Sequence, residues 1–595
     1  MTQKRGVIKY VWAPLRALLG KMPDRTRLLV LSVVVGLLCG LAAVLLKTAI
    51  GWIHYGVSSL VPAFGNWVYL VFPGVGMLLS LLIVKYIVRD NIGHGVTKVL
   101  VAVSKNESRI ATHNIWSSLV TSALTIGTGG SVGAEAPIVY TGAAIGSNLG
   151  RYMGLSYRGV TILLGCGAAG AVAGIFNAPL AGVLFTLEIL LFNISMTSIL
   201  PLLLSTVSAT MVSYILLGTG TQFICALAPF ALRTVPFYIV LGLFCGFCGL
   251  YFLRTTLSLE DRMGRLKSPY LRWIVSAVIL GGLIFLFPPL YGEGYDSLGQ
   301  LLSGQLPDFS GATPLSVLTG SPWGMILFFA LILLLKVFAM TFTNSGGGVG
   351  GTFGPTLFVG AIAGFVLAVA INQLFPAANL PVQNFVLVGM AGLMASVMQA
   401  PMTAIFLIAE ISGGYELFLP LIVTSAFSFG TIRLFDRYSI YTKRIAATGE
   451  LLTHDSDQAV LTLLKTGNLV EKDFESVKID ATMRELVEAV ASSRRNIFPV
   501  VDGKGRFQGY VSLEDIRRDM FRTDLYDKNH VWNYMRSAPE YVYVDEPMES
   551  VMRKFEKSGA WNLPVVTEGR KYLGFVSKSK IFNAYREELK DFSQD

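Results

Sequence analysis

Charge is what this sequence has least of. Asp, Glu, Lys and Arg make up only 14% of its 595 residues, hydrophobic residues make up 53%, and the mean hydropathy is +0.58. Soluble domains carry about 25% charged residues, so this balance excludes a wholly soluble chain and points to a polytopic α-helical membrane protein. Cysteine is scarce as well. Cys39, Cys166, Cys225, Cys245 and Cys248 all fall in the apolar part, which excludes a disulfide framework, and "CGFC" (Cys245 to Cys248) reads as apolar helix rather than a redox or zinc pair. The apolar segments lack any Ser/His, Asp/Asp or His-rich spacing, so neither enzyme chemistry nor a metal or required cofactor is expected there. Their few acids do not supply the rings that a divalent-cation channel needs. The opening "MTQKRGVIKYVWAPLRALLGKMPDRTR" has no small-residue cleavage site behind a short apolar core, so no cleavable signal peptide is expected.

What the sequence does have is long apolar runs. Leu28 to Ile50, Phe237 to Leu253 and Trp323 to Met340 approach or reach the roughly 20 residues that cross a bilayer. Others are shorter and broken by Gly or Pro, the pattern of half-helices that meet inside a membrane and are tolerated only where they line a cavity or pack on protein. The basic residues of segment 1–27 imply a cytoplasmic N-terminus in the cell (inner) membrane. The net charge of +10 fits the positive-inside bias and anionic lipid rather than nucleic acid. Near Tyr441 the composition turns charged and alternating. We therefore expect a membrane domain over 28–445, a linker over 446–467 and a soluble cytoplasmic domain over 468–595.

The membrane domain repeats. "FNAPLAGVLFTLEI" (Phe176 to Ile189) matches "MQAPMTAIFLIAEI" (Met398 to Ile411), with Pro179 and Glu188 each 222 positions before Pro401 and Glu410. "GGSVGAEAP" (Gly129 to Pro137) resembles "GGVGGTFGP" (Gly347 to Pro355) at a spacing of 218. Two halves, about 28–218 and 234–435, are expected, each with an odd number of crossings. Tandem repeats of that kind are inverted, which brings the two Gly-rich loops together near the midplane.

In both loops glycines precede a Pro suited to the first turn of a helix. The free N–H groups and positive dipole end of such a helix bind an anion without a full basic charge, so a conducted ion is able to leave. Glu135 sits inside the first loop. An intramembrane carboxylate is costly unless used, and an ionised Glu135 competes with the conducted anion whereas a protonated one leaves the site. The plainer alternative is a Glu that caps its own helix. Glu188 and Glu410 read as satisfied polar ends of their helices.

These residues resemble the CLC family of chloride channels and proton/chloride antiporters. "GGSVGAEAP" resembles its gating-glutamate loop, "GGTFGPTLFVG" (Gly350 to Gly360) its G-x-F-x-P signature, "NIGHGVTKV" (Asn91 to Val99) its first anion loop, and "YSIY" (Tyr438 to Tyr441) the segment ending in its pore tyrosine. The resemblance implies the inverted-repeat CLC fold, with many broken and tilted helices, and a homodimer with one pore per subunit. It assigns Glu135 as the gate, and backbone N–H groups near Thr352 and Phe353 with the Tyr441 hydroxyl as the chloride site. In the first loop His94 stands where the family commonly has an ion-binding serine, with Gly95 and Val96 as remaining backbone donors. Proton-coupled members carry a second glutamate where this chain has Ile189. An aliphatic side chain passes no proton, so the expectation leans to channel-like chloride conduction, with a proton-coupled chloride antiporter as the alternative. Another anion such as nitrate or fluoride, or a CBS-linked divalent-cation channel, ranks lower.

The soluble part repeats too: "NIFPVVDGKGRFQGYVSLEDI" (Asn496 to Ile516) matches "WNLPVVTEGRKYLGFVSKSKI" (Trp561 to Ile581) with Pro499 and Pro564 65 apart. Each copy, about 468–525 and 532–595, reads as a helix, two strands around a turn, and a helix opened by Ser. The pair resembles a tandem CBS module of α/β fold. That resemblance implies an ATP, ADP or AMP site at Ser512 and Asp515, while Lys580 replaces the acid in the second copy. A helix cap is the equal alternative for Ser512 and Asp515.

Overall fold

The structure, a computed structural model, describes residues 22–593 except 91, 106, 191–195, 219–222, 224, 226, 306–312, 448–463 and 465. Most of the expected N-terminal segment 1–27 and of the linker 446–467 lies outside the described residues. Two compact units divide the chain after Leu452.

The first half of the membrane unit runs through α1 (Asp24–Ser58), α2 (Trp67–Leu82), α3 (Gly95–Lys105), α4 (Asn114–Gly127), α5 (Glu135–Tyr152), α6 (Tyr157–Phe176), α7 (Pro179–Ile189) and α8 (Met196–Leu217). The second repeats that order as α9 (Val235–Gly264), α10 (Pro269–Leu286), α11 (Tyr295–Leu302), α12 (Pro322–Ser345), α13 (Phe353–Leu374), α14 (Val382–Val397), α15 (Pro401–Ile411) and α16 (Phe418–Phe435). Helix α17 (Ile440–Ala447) closes the unit. Among the described residues nine helices are long and apolar enough to cross a membrane, and α3, α7, α14 and α15 are shorter apolar helices.

Packing repeats with the order. Helix α5 lies on α6 as α13 lies on α14, α1 packs on α6 and α8 as α9 packs on α14 and α16, and α7 meets α15 between the halves. Glycine sets the closest approach. A Cβ on Gly142 would lie 2.1 Å from the Gly167 carbonyl oxygen, and one on Gly360 would lie 2.4 Å from the Gly389 oxygen, the same interface in each half. Small residues let helix backbones touch where lipid supplies no hydrophobic drive. Helix α5 is thereby walled in by protein along nearly its whole length.

The soluble unit holds two copies of one small sheet. In the first, β1 (Val477–Lys478) runs parallel to β2 (Ile497–Val501), which pairs antiparallel with β3 (Phe507–Ser512); β4 (Val542–Tyr543), β5 (Asn562–Val566) and β6 (Tyr572–Ser577) repeat this. Pro499 faces Tyr510 and Pro564 faces Phe575, so the register is shared as well. The short first strand of each copy was absent from the sequence reading, because two residues carry no periodicity. Phe474, Phe507, Val566 and Phe575 form a buried cluster that joins the copies.

Candidate functional site

The two Gly-rich loops meet. Gly133 N–H donates to the Gly351 carbonyl (3.1 Å) and Gly351 N–H to the Gly133 carbonyl (2.7 Å), a one-pair antiparallel bridge between the halves. Around it the halves exchange a second set of bonds. Ser131 N–H donates to the Thr343 hydroxyl on α12 (3.1 Å), and Val349 N–H, 218 positions after Ser131, donates to the Thr125 hydroxyl on α4 (3.1 Å). The convergence expected from the repeat is present.

Glu135, the first residue of α5, lies across the start of the other half's helix. Its Oε2 accepts Gly354 N–H of α13 at 3.2 Å, its Oε1 accepts the Tyr295 hydroxyl at 2.7 Å, and the residue is 3% exposed. Gly133 makes this possible, since a Cβ there would lie 2.0 Å from Glu135 Oε2. The Thr352 side chain does not cap α13, and the first intrahelical bond runs from Thr356 N–H to Thr352 oxygen (3.1 Å). The helix therefore leaves the N–H groups of Thr352 and Phe353 to an outside acceptor. Among the described residues the Thr352 and Tyr441 hydroxyls, which lie side by side, are both buried without a hydrogen-bond partner. Phe353 packs its ring on Phe176 (5.4 Å) and Phe185 (6.2 Å).

The loop that opens α3 joins the same place from a third direction. A Cβ on Gly95 would lie 2.4 Å from the Ala136 oxygen, so the start of α3 touches the start of α5 beside Glu135, with Val96 buried next to it. His94 adopts a left-handed backbone (φ 55°) and its carbonyl accepts Lys98 N–H (3.1 Å), opening α3. The His94 imidazole sits against a carboxylate, 3.8 Å from Glu260 Oε1 on α9, and Glu260 is gripped on both oxygens by Arg444 of α17 (2.5 and 3.2 Å). The sequence reading missed Thr97, whose buried hydroxyl, in the first turn of α3, has no hydrogen-bond partner among the described residues.

Ile189 ends α7 and is buried. Glu188 accepts Met402 N–H (3.1 Å), Thr403 N–H (2.7 Å) and the Thr403 hydroxyl (2.8 Å) at the start of α15, while Glu410 accepts Leu180 N–H (3.0 Å) and Ala181 N–H (2.9 Å) at the start of α7. Both are satisfied polar ends, as read from sequence.

On the far side of Glu135 lies a cavity of about 290 Å³ whose lining includes Lys47 of α1, Tyr291, Glu293 and Tyr295. Glu293 and Tyr295 were not singled out from sequence. The available signal was an acid between glycines in "YGEGYD" (Tyr291 to Asp296).

In the soluble unit Ser512 and Asp515 close a capping box: the Ser512 side chain accepts from the helix start and Asp515 Oδ2 accepts Ser512 N–H at 3.3 Å. Arg536 pairs with the other Asp515 oxygen. In the second copy the Ser577 hydroxyl donates to Glu471 (2.6 Å) and accepts Lys580 N–H (3.1 Å).

Residues 75–433 match the family model described as voltage gated chloride channel, and residues 467–522 and 531–587 match the CBS domain. A putative chloride channel protein of Ralstonia nicotianae, named ClcB-like, is 29% identical over 400 residues, 66% of this chain and 88% of its own. The H(+)/Cl(-) exchange transporter ClcA of Klebsiella pneumoniae is 28% identical over 419 residues, 67% of this chain and 85% of its own. Among solved structures, a slow cyanobacterial Cl-/H+ antiporter superposes with a TM-score of 0.62 at 25% identity, covering 72% of this chain and 99% of its own. A eukaryotic CLC transporter shares the fold, with a TM-score of 0.59 at 16% identity, covering 93% of this chain and 98% of its own.

Proposed function

The chain belongs to the voltage gated chloride channel (CLC) family, and from that premise we propose that it moves chloride across the membrane in exchange for protons, with Glu135 as the gate both ions use. One observation carries the reading: the Glu135 carboxylate accepts an N–H at the start of α13, which its own Thr352 side chain leaves uncapped and where the partial positive charge of a helix end suits an anion. A carboxylate there is a tethered stand-in for chloride. Protonation removes its charge, the helix start loses its ligand, and a chloride ion takes the place. Thr352 and Phe353 N–H groups, the unpartnered Tyr441 hydroxyl, and the Gly95 and Val96 backbone are the proposed donors to that ion, with His94 beside them.

Exchange replaces the lean toward passive conduction. That lean rested on Ile189, whereas an exchange transporter and a Cl-/H+ antiporter stand among the similar proteins, and they favour the alternative. Ile189 is the observation that still speaks for conduction. If the chain exchanges, its inner proton route uses neither Ile189 nor a free Glu188, because the latter carboxylate is held by three donors. A chloride gradient imposed on proteoliposomes at equal pH tests the reading. Uphill proton movement at fixed stoichiometry is expected, and chloride flux without proton movement leaves passive conduction. The basic segment 1–27 supports an inner-membrane protein with its N-terminus and CBS pair in the cytoplasm, which puts the Lys47 end of α1 and the cavity on the outer side.

A further inference from the structure

Between Glu135 and the outer side lies a second carboxylate that nothing above has used. Glu293 is half-buried, lines the same cavity as Glu135, and its Oε1 accepts Ala134 N–H at 2.9 Å, the amide immediately before the gate. Two residues on, Tyr295 donates its hydroxyl to Glu135 Oε1 at 2.7 Å. The short segment Gly292 to Tyr295 therefore presents an acid and a phenol to the start of α5 together. Its position is fixed from below: Lys336 of α12, fully buried, donates to the Gly292 carbonyl at 2.9 Å and packs its ammonium 4.9 Å from the Phe358 ring centre.

The charges facing Glu293 come from each surrounding element. Helix α1 contributes Lys47 and His54, α5 contributes Glu135, α12 contributes Lys336, and the segment itself contributes Asp296, which is exposed at the cavity. His54 is turned to the Tyr291 ring, 5.5 Å between centres. Lys47 makes no ion pair within 4 Å among the described residues, so its ammonium neutralises the two carboxylates from across the cavity rather than locking either one. Two carboxylates in one low-dielectric space favour holding a proton between them, because both cannot ionise at little cost.

We propose that Glu293 is the outer proton carrier of this protein: it takes a proton from the outer solution and passes it to Glu135. This deepens the exchange reading and rests on it. In the step the Glu293 carboxylic acid O–H breaks, a Glu135 carboxylate O–H forms, and Glu293 is left ionised to be reprotonated from the cavity. The Tyr295 hydroxyl, already on Glu135, or cavity water bridges the two. A purely structural Glu293 would do no more than cap the Ala134 N–H.

Glu293→Gln separates the two roles, because the amide oxygen still accepts from Ala134 while the side chain no longer carries a proton. In proteoliposomes with a chloride gradient, the variant is expected to lose proton flux on the order of 100-fold, the lower end of what a positioned proton donor contributes. Chloride flux should fall with it, because Glu135 leaves the helix start only when protonated, and Glu293→Asp should restore part of both fluxes. A wild-type proton flux with an unchanged dependence on external pH in Glu293→Gln would overturn the proposal. So would a failure of both variants to assemble, which marks a structural cap. If the wild type itself moves no protons, the exchange reading falls separately. The dependence of chloride flux on external pH then decides: a profile shifted in Glu293→Gln supports delivery of protons to the gate, and an unshifted one refutes it.

Discussion

Glu188 and Glu410 cap each other's helices. Each ends one short apolar helix and accepts the first N–H groups of the helix that the other ends. A carboxylate at a helix start gains from both hydrogen bonds and dipole. We expect Glu188→Ala to cost about 2 kcal/mol, because three donors lose their acceptor, and Glu188→Gln about 1 kcal/mol. Thermal unfolding in detergent should show the larger drop for Ala and a comparable pattern at Glu410. Proton coupling should survive Glu188→Gln, and its loss there would assign Glu188 a place in the proton route.

Glu135→Gln should open the gate and erase its pH response. The amide carries no charge to hold the start of α13. Chloride flux measured between pH 5 and 8 is expected to become nearly flat, with uphill proton movement abolished. A variant that keeps the wild-type pH profile would remove Glu135 from the gate.

His94→Ser should tighten chloride binding. It puts a hydroxyl where the imidazole now sits and takes a ring away from Glu260, leaving the Glu260–Arg444 pair intact. One hydrogen bond to a charged group contributes about 1.5–3 kcal/mol, which corresponds to roughly tenfold or more in affinity. Chloride titration calorimetry checks this, and unchanged affinity would show that the His94 side chain faces away from the ion.

An adenine nucleotide at the CBS pair would meet a competitor already in place: its ribose hydroxyl would have to displace Arg536 from Asp515. Arg536→Ala should therefore strengthen ATP, ADP or AMP binding while Asp515→Ala weakens it. No heat of binding in either variant would leave Ser512 and Asp515 as a helix cap alone.

What the sequence made legible follows from its repeats. Offsets of 218 and 222 align the loops, the Pro starts and the Glu ends, and a duplicated plan carries its symmetry into contacts such as Ser131 with Thr343 and Val349 with Thr125. Glu135 was readable because an acid among glycines has few uses in a membrane. Tyr295 and Glu293 were not, because they reach the site from about 160 residues away and the match of "GEGY" (Gly292 to Tyr295) to "GHGV" (Gly93 to Val96) in the other half is only two glycines deep. The partner of His94 was hidden for the same reason: Glu260 and Arg444 are distant charges that meet only through the packing of α9 and α17. In the soluble unit the Asp515 carboxylate closes the helix cap that was one of the two roles foreseen for it, and Arg536, invisible in the sequence pattern, pairs with its other oxygen.

The bridge between Gly133 and Gly351 bears on how access to the site can alternate. Inverted-repeat transporters commonly rock one repeat against the other about a fixed centre. Here the centre is stitched: two backbone bonds join the loops, and one threonine hydroxyl ties each loop to a helix of the opposite half. Rocking at that point would leave buried donors unmade, at about 1–3 kcal/mol for each. If the chain exchanges ions as proposed, the scaffold serves as a stator and the moving part is one carboxylate side chain with its proton. Turnover in such a machine is paced by rotamer changes and proton arrival rather than by the slower swing of whole helical bundles.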